Sequence, residues 1–169
     1  ISDAFLWRTD NNFVTKFNFS FTALNLFNKT NSYVEIRIFN NSGVLIKTIK
    51  LENLKSSNSV IIDKNLLNGL VSFGTFYVYQ IVDDLLPNEL IQISNKCYTG
   101  YSKDGLLFSY VHGNRIGRSY SYIDKIDRPV SELSLLKNYI YKISKPFKNF
   151  EKNEILIANP NDNKIYFSI

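Results

Sequence analysis

Apolar and polar residues alternate one for one through much of the chain. In Tyr33–Leu51, YVEIRIFNNSGVLIKTIKL, Val34, Ile36 and Ile38 share one parity, and Glu35 and Arg37 take the other. Successive strand side chains point to opposite faces, so this alternation predicts a strand with one buried face. Asn40-Asn41-Ser42-Gly43 follows. Asn and Gly enter positive φ at low cost, which predicts a tight turn into a second strand over Val44–Leu51. One hairpin cannot hide an apolar face alone and needs further strands or a second layer.

The same rhythm recurs on both sides. Phe5-Leu6-Trp7 predicts a short strand or ordered arm before a polar turn, Arg8–Asn12. Phe17, Phe19 and Phe21 alternate with Asn18, Ser20 and Thr22 within a strand over Phe13–Phe27. Val60–Ile62 predicts a short strand, and Asp63–Gly69 a turn or single helical turn with Asp63 as its cap. Phe73–Val82, rich in aromatic and β-branched residues, predicts a strand. Further strands are expected over Leu90–Ile93, Cys97–Tyr101, Leu106–Val111 and Tyr139–Ile143, with Lys103-Asp104-Gly105 as a turn. Ser131–Lys137, after Pro129, is the best helix candidate. The closing segment Glu154–Ile169, EILIANPNDNKIYFSI, echoes the central hairpin. It implies either a duplicated unit or two independent hairpins in an Asn-rich chain.

About nine or ten strands at this spacing, without strand–helix–strand alternation, predict an all-β fold. The expected architecture is a two-layer antiparallel β-sandwich, jelly-roll or immunoglobulin-like, with at most one or two short helices. The expected organisation is a single domain over residues 1–169, with 139–169 as the alternative of a partial second β-unit. The Cys–Trp–Cys pattern of antibody domains is missing.

Composition narrows the chemistry. The 169 residues are 44% hydrophobic and 21% charged, which suits a globular chain with an ordinary core. Met is absent, so the sequence is expected to start after an initiator, at a processing site or a cut. No apolar run reaches the ~18 residues of a membrane span. The net charge of +5 comes from dispersed lysines, a mild excess for a nucleic-acid binder. Asn, Lys, Ile, Tyr and Phe share AT-rich codons, so a biased, AT-rich genome is expected to be enough to produce the whole trend. Cys97 is the sole cysteine, expected as a small buried hydrophobe rather than a disulfide partner. The sequons at Asn18, Asn28 and Asn40 are expected by chance in so Asn-rich a chain.

GxSxG, P-loop, HExxH and CxxC patterns are all missing. A Ser–His–Asp triad would have to use His112, the single histidine, with Asp104 or Asp124. The loop at Asp162 lacks the acidic density of a Ca²⁺ loop. No catalytic residue, metal or cofactor is therefore assigned. The stretch with the densest candidate chemistry lies within Tyr98–Asp127, chiefly SYVHGNRIGRSYSYID from Ser109. Tyr101, His112, Asn114, Arg115, Arg118, Tyr120, Tyr122 and Asp124 form the expected ligand-binding set. Aromatic faces stack on sugar C–H groups while planar polar side chains bond adjacent hydroxyls, and loops on a rigid sandwich carry such sites. The competing view is a solvated hairpin with tyrosines packed over its face.

The expected function is a non-catalytic ligand-binding or adhesion module, for carbohydrate first. The alternatives are a structural or assembly subunit of a shell, fibre or surface protein, and a hydrolase-like enzyme using His112. Carbohydrate or a protein surface is the expected partner, nucleic acid is disfavoured, and an oligomer or longer chain is allowed. The compartment is left open, with the cell exterior favoured over the cytoplasm.

Overall fold

A computed structural model describes residues 2–21, 32–82, 97–112, 116–121, 124–129, 154 and 156. Eleven strands lie within these residues, and the sole helical element is a 3-10 turn at Asp10–Asn12. The strands are β1 (Ser2–Asp3), β2 (Phe5–Arg8), β3 (Phe13–Ser20), β4 (Ser32–Asn40), β5 (Leu45–Leu51), β6 (Ser57–Ile62), β7 (Phe73–Val82), β8 (Cys97–Lys103), β9 (Ser109–His112), β10 (Ile116–Tyr120) and β11 (Asp127–Pro129). The expected helix at Ser131–Lys137, the strands at Leu90–Ile93 and Tyr139–Ile143, and the closing hairpin lie outside the described residues, the last apart from Glu154 and Leu156.

Two four-stranded antiparallel sheets, β2-β7-β4-β5 and β6-β3-β8-β9, form the sandwich. Consecutive strands β3 and β4 fall in opposite sheets, as do β6 and β7. The chain therefore crosses the core repeatedly, as it does in Greek-key sandwiches. Alternation places the residues as expected: Val34, Ile36 and Ile38 are fully buried, as is Phe17. Rings join the layers directly. Phe17 of β3 meets Phe5 of β2 at 5.0 Å and Phe76 of β7 at 5.2 Å, both edge-on. Such offset ring pairs add to the burial of the rings themselves. Cys97 is buried in the same core, as a lone apolar cysteine should be.

Polar groups inside are tied to backbone. Trp7 Nε1 donates to Phe39 O at 2.8 Å. The Thr15 hydroxyl accepts from Arg8 N at 2.9 Å and donates to Arg8 O at 3.1 Å, bridging β3 to β2. The central turn forms on Asn40. Its Oδ1 accepts from Ser42 N and Val44 N, and Gly43 sits at φ +77°. At the other predicted turns, Asp63 Oδ1 accepts from Leu66 N at 2.8 Å, and Asp104 and Gly105 take φ values of 53° and 73°. Two consecutive positive φ angles reverse the chain in a type I′ turn. The strand expected over Leu106–Val111 begins at Ser109, because Leu106 and Leu107 belong to the exposed loop after that turn.

A third sheet, β1-β10-β11, adds to the expected two layers. It lies on the outer face of the β2-β7-β4-β5 sheet, where Tyr77, Tyr79 and Ile81 are buried with Ala4, and Tyr33, Phe39 and Tyr120 pack around them. Ser2 fastens it, its hydroxyl accepting from Val78 N at 2.7 Å. Glu35 and Arg37 point away from the main core as the alternation predicts, yet they meet this third sheet rather than open water.

Candidate functional site

The binding set drawn from the sequence divides in space. Arg118 and Tyr120 of β10 turn onto the sandwich and join Glu35 and Arg37 of β4, Tyr79 of β7 and Asp127 of β11. Arg118 Nε bonds Asp127 Oδ1 at 2.8 Å, Arg37 Nη1 lies 3.4 Å from Asp127 Oδ2, and the Tyr79 hydroxyl donates to Asp127 Oδ1 at 3.2 Å. The Arg37 guanidinium sits 4.2 Å from the Tyr120 ring centre and 5.2 Å from that of Tyr79. Burial alone would depress the Arg37 guanidinium, but the hydrogen bond and charge of Glu35 hold it above its usual value. Burial, then the charge of Asp127, pushes the Tyr79 phenol well up. Two cations against two carboxylates make a closed, satisfied cluster. Its chemistry is that of a clamp between layers rather than of an open site.

Two more members of the set serve the fold. The Tyr101 hydroxyl donates to Leu6 O at 2.8 Å, and burial pushes its phenol up to about 12. Asp124 caps the β10–β11 turn. A hydrogen bond from Ser121 and the Ile126 amide hold its carboxyl below the ordinary range. Asn114, Arg115 and Tyr122 lie outside the described residues.

His112 belongs to a different surface, the outer face of the β6-β3-β8-β9 sheet. Register sets two rows across its strands. Ser59, Asn18, Tyr98 and His112 form one, and Ile61, Lys16, Gly100 and Tyr110 the other. Tyr98 meets His112 edge-on, ring centres 5.4 Å apart. A Cβ added at Gly100 would fall 2.6 Å from Tyr110 Cε1 and 2.8 Å from Tyr110 Cδ1. The Tyr110 ring therefore lies down across β8, one face against the glycine backbone. Its relative exposure of 45% leaves the opposite face to solvent, beside Tyr98 at 54%. Phe108 continues the strip, its ring 6.1 Å from that of Tyr110 and inclined by 34°, with the Lys16 ammonium 5.7 Å from its centre.

No family model matches the chain, and neither curated proteins nor solved structures give a significant match.

The sequence set omits Tyr98, Tyr110, Phe108 and Lys16. One signal could have found them. Gly100 interrupts a strand of alternating residues, and a glycine there often marks the close approach of another group. The alternating pair Tyr110 and His112 was visible in SYVH. What the sequence could not supply was the register that puts Tyr110 opposite Gly100. Among the described residues no group of three or more His, Cys, Asp or Glu side chains is arranged to hold a metal ion, and no helix is long and apolar enough to cross a membrane.

Proposed function

We propose that the protein is a non-catalytic carbohydrate-binding module, and that the outer face of the β6-β3-β8-β9 sheet takes the sugar. The observation that carries this reading is the Tyr110 ring lying over Gly100 with its far face open. Pyranose rings present flat patches of C–H groups, which stack on such a face, and their hydroxyls bond planar or hydroxylic side chains nearby. Asn18 and Ser59 stand in the adjoining row. A ring held against backbone has already lost its rotamer freedom, so binding loses little further entropy. The protein should bind at least one neutral sugar on a glycan array. Gly100→Ala, which lifts the ring while keeping Tyr110 present, should weaken that signal. A blank array, or undiminished binding by a folded Gly100→Ala protein, overturns the reading.

A second reading, assembly, draws on β9. Among the described residues it ends its sheet, and the loop before it exposes Leu106 and, at 93%, Leu107. An open edge flanked by apolar residues can add a strand from another chain. Light scattering across concentration tests it: growth of the particle mass supports assembly, and a constant monomer mass rejects it.

A further inference from the structure

We infer that this face takes an extended, uncharged polysaccharide chain lying flat across the strands, rather than a short or acidic sugar. The inference rests on the carbohydrate reading and adds the ligand's shape and charge.

Shape follows from the register. Each row crosses four strands, a span of roughly 14 Å at the usual strand spacing, which exceeds one sugar ring. The two rows stand two residues apart along each strand, roughly 7 Å. Gly100 contributes no side chain, and the Tyr110 ring covers it lying down, so the middle of the face is level. Tyr110 and Phe108, inclined by only 34°, extend the level strip toward the β8–β9 loop. A level strip longer than one ring suits successive units of a chain. A single sugar is held best in a concave pocket that buries most of its surface.

Charge follows from the residues in the rows. Ser59, Asn18, Tyr98, Ile61, Gly100 and Tyr110 carry no basic group, and Lys16 and His112 are the only basic side chains in the two rows. Neither row holds a carboxylate. Polyanions, whether nucleic acid or acidic polysaccharide, are gripped through several cations at once, and their binding then falls steeply with salt. Lys16 moreover directs its ammonium toward Phe108, within reach of a cation–π attraction. A basic peptide finds no carboxylate in these rows. The hydroxyl of Ser59 and the amide of Asn18, beside the rings, match a neutral, polyhydroxylated chain.

The test is a titration of the whole chain with β-glucan, xylan, mannan and chitin oligosaccharides, from a single sugar to long chains, with heparin as the acidic comparison. For at least one neutral series the affinity should rise by about tenfold or more from the single sugar to the long chain. It should then level off and stay constant as salt is added. Tyr98→Ala and Tyr110→Ala should each lose about tenfold or more, the usual loss on truncating an aromatic anchor. Tyr110→Phe, which keeps the ring, should retain most of the binding and guards against misfolding of the alanine variant. Binding of a single sugar as tight as the chain overturns the inference and leaves the carbohydrate reading standing, as does salt-sensitive preference for heparin. Failure of the unaltered protein to bind any of these sugars overturns both.

Discussion

Arg37 and Asp127 stand 90 residues apart in the chain, yet the Arg37 guanidinium lies 3.4 Å from the Asp127 carboxylate and joins the third sheet to the sandwich. Asp127 also takes Arg118 Nε and the Tyr79 hydroxyl. Its side chain is only 17% exposed, so little water stands ready to replace it as a partner of these groups. Asp127→Asn removes the carboxylate that Arg118 and Arg37 share, and leaves Arg37 to Glu35 in a half-dry setting. It should lower stability by about 2–3 kcal/mol in denaturant titrations, somewhat less than a fully buried pair would lose. Amide exchange should speed up first in β10 and β11. Arg128→Ala, on an exposed ion pair with Asp124, should change stability by no more than about 0.5 kcal/mol.

Thr99 is buried in β8, and its hydroxyl has no hydrogen-bond partner among the described residues. A buried hydroxyl without a partner forfeits its hydration, and valine has nearly the same shape. Thr99→Val should therefore raise stability by about 1 kcal/mol. A loss of stability in urea titrations would show that the hydroxyl is satisfied.

Much of the sandwich was legible because β4 and β7 carry their own pattern: Val34, Ile36 and Ile38 alternate, and Phe73–Val82 is rich in aromatic and β-branched residues. The third sheet was not legible. β1 has two residues and β11 three, too short for any period, and Ser2 pairs with Arg118 across most of the chain. Glu35 and Arg37 were correctly placed on the outer parity, but a charged parity normally means solvent, and nothing local reveals a covering layer. The expected binding stretch contained both Arg118, which holds that layer, and His112, which belongs to the open face. Sequence adjacency could not separate them, since β9 and β10 go to different sheets.

Alkaline conditions should loosen the core. Burial, with the Asp3 charge adding, pushes the Cys97 thiol up to about 12, and burial pushes the Tyr101 phenol to about 12 against the pull of Arg8. Both values are raised on folding. Their stabilising contribution is thus complete below the unfolded values of about 8.5 and 10, and is lost as pH rises through about 12. Urea midpoints should be insensitive to these two groups near neutrality and fall between pH of about 8.5 and 12. The folded protein should also resist thiol reagents at neutral pH and react once unfolded. Rapid labelling of Cys97 without unfolding would contradict its placement.

Gly74 is walled in by backbone. A Cβ there would lie 2.1 Å from Phe39 O and 2.9 Å from Trp7 Nε1. Gly74→Ala should cost about 2–3 kcal/mol through displacement of β4 from β7. It should also break the hydrogen bond from Trp7 to Phe39. Trp7 is the single tryptophan and fully buried, so its emission should shift to the red in the variant. An unchanged spectrum and midpoint would refute the close packing at this corner.

The central claim is that a sugar chain lies against the open ring of Tyr110. Aromatic-ring resonances in protein labelled at Tyr, Phe, His and Trp, followed while a neutral oligosaccharide is added, test it most directly. Tyr98, Phe108, Tyr110 and His112 should shift together and saturate together, while Trp7 and Tyr79 stay in place. Shifts confined to other rings, or none with any neutral sugar, would contradict it.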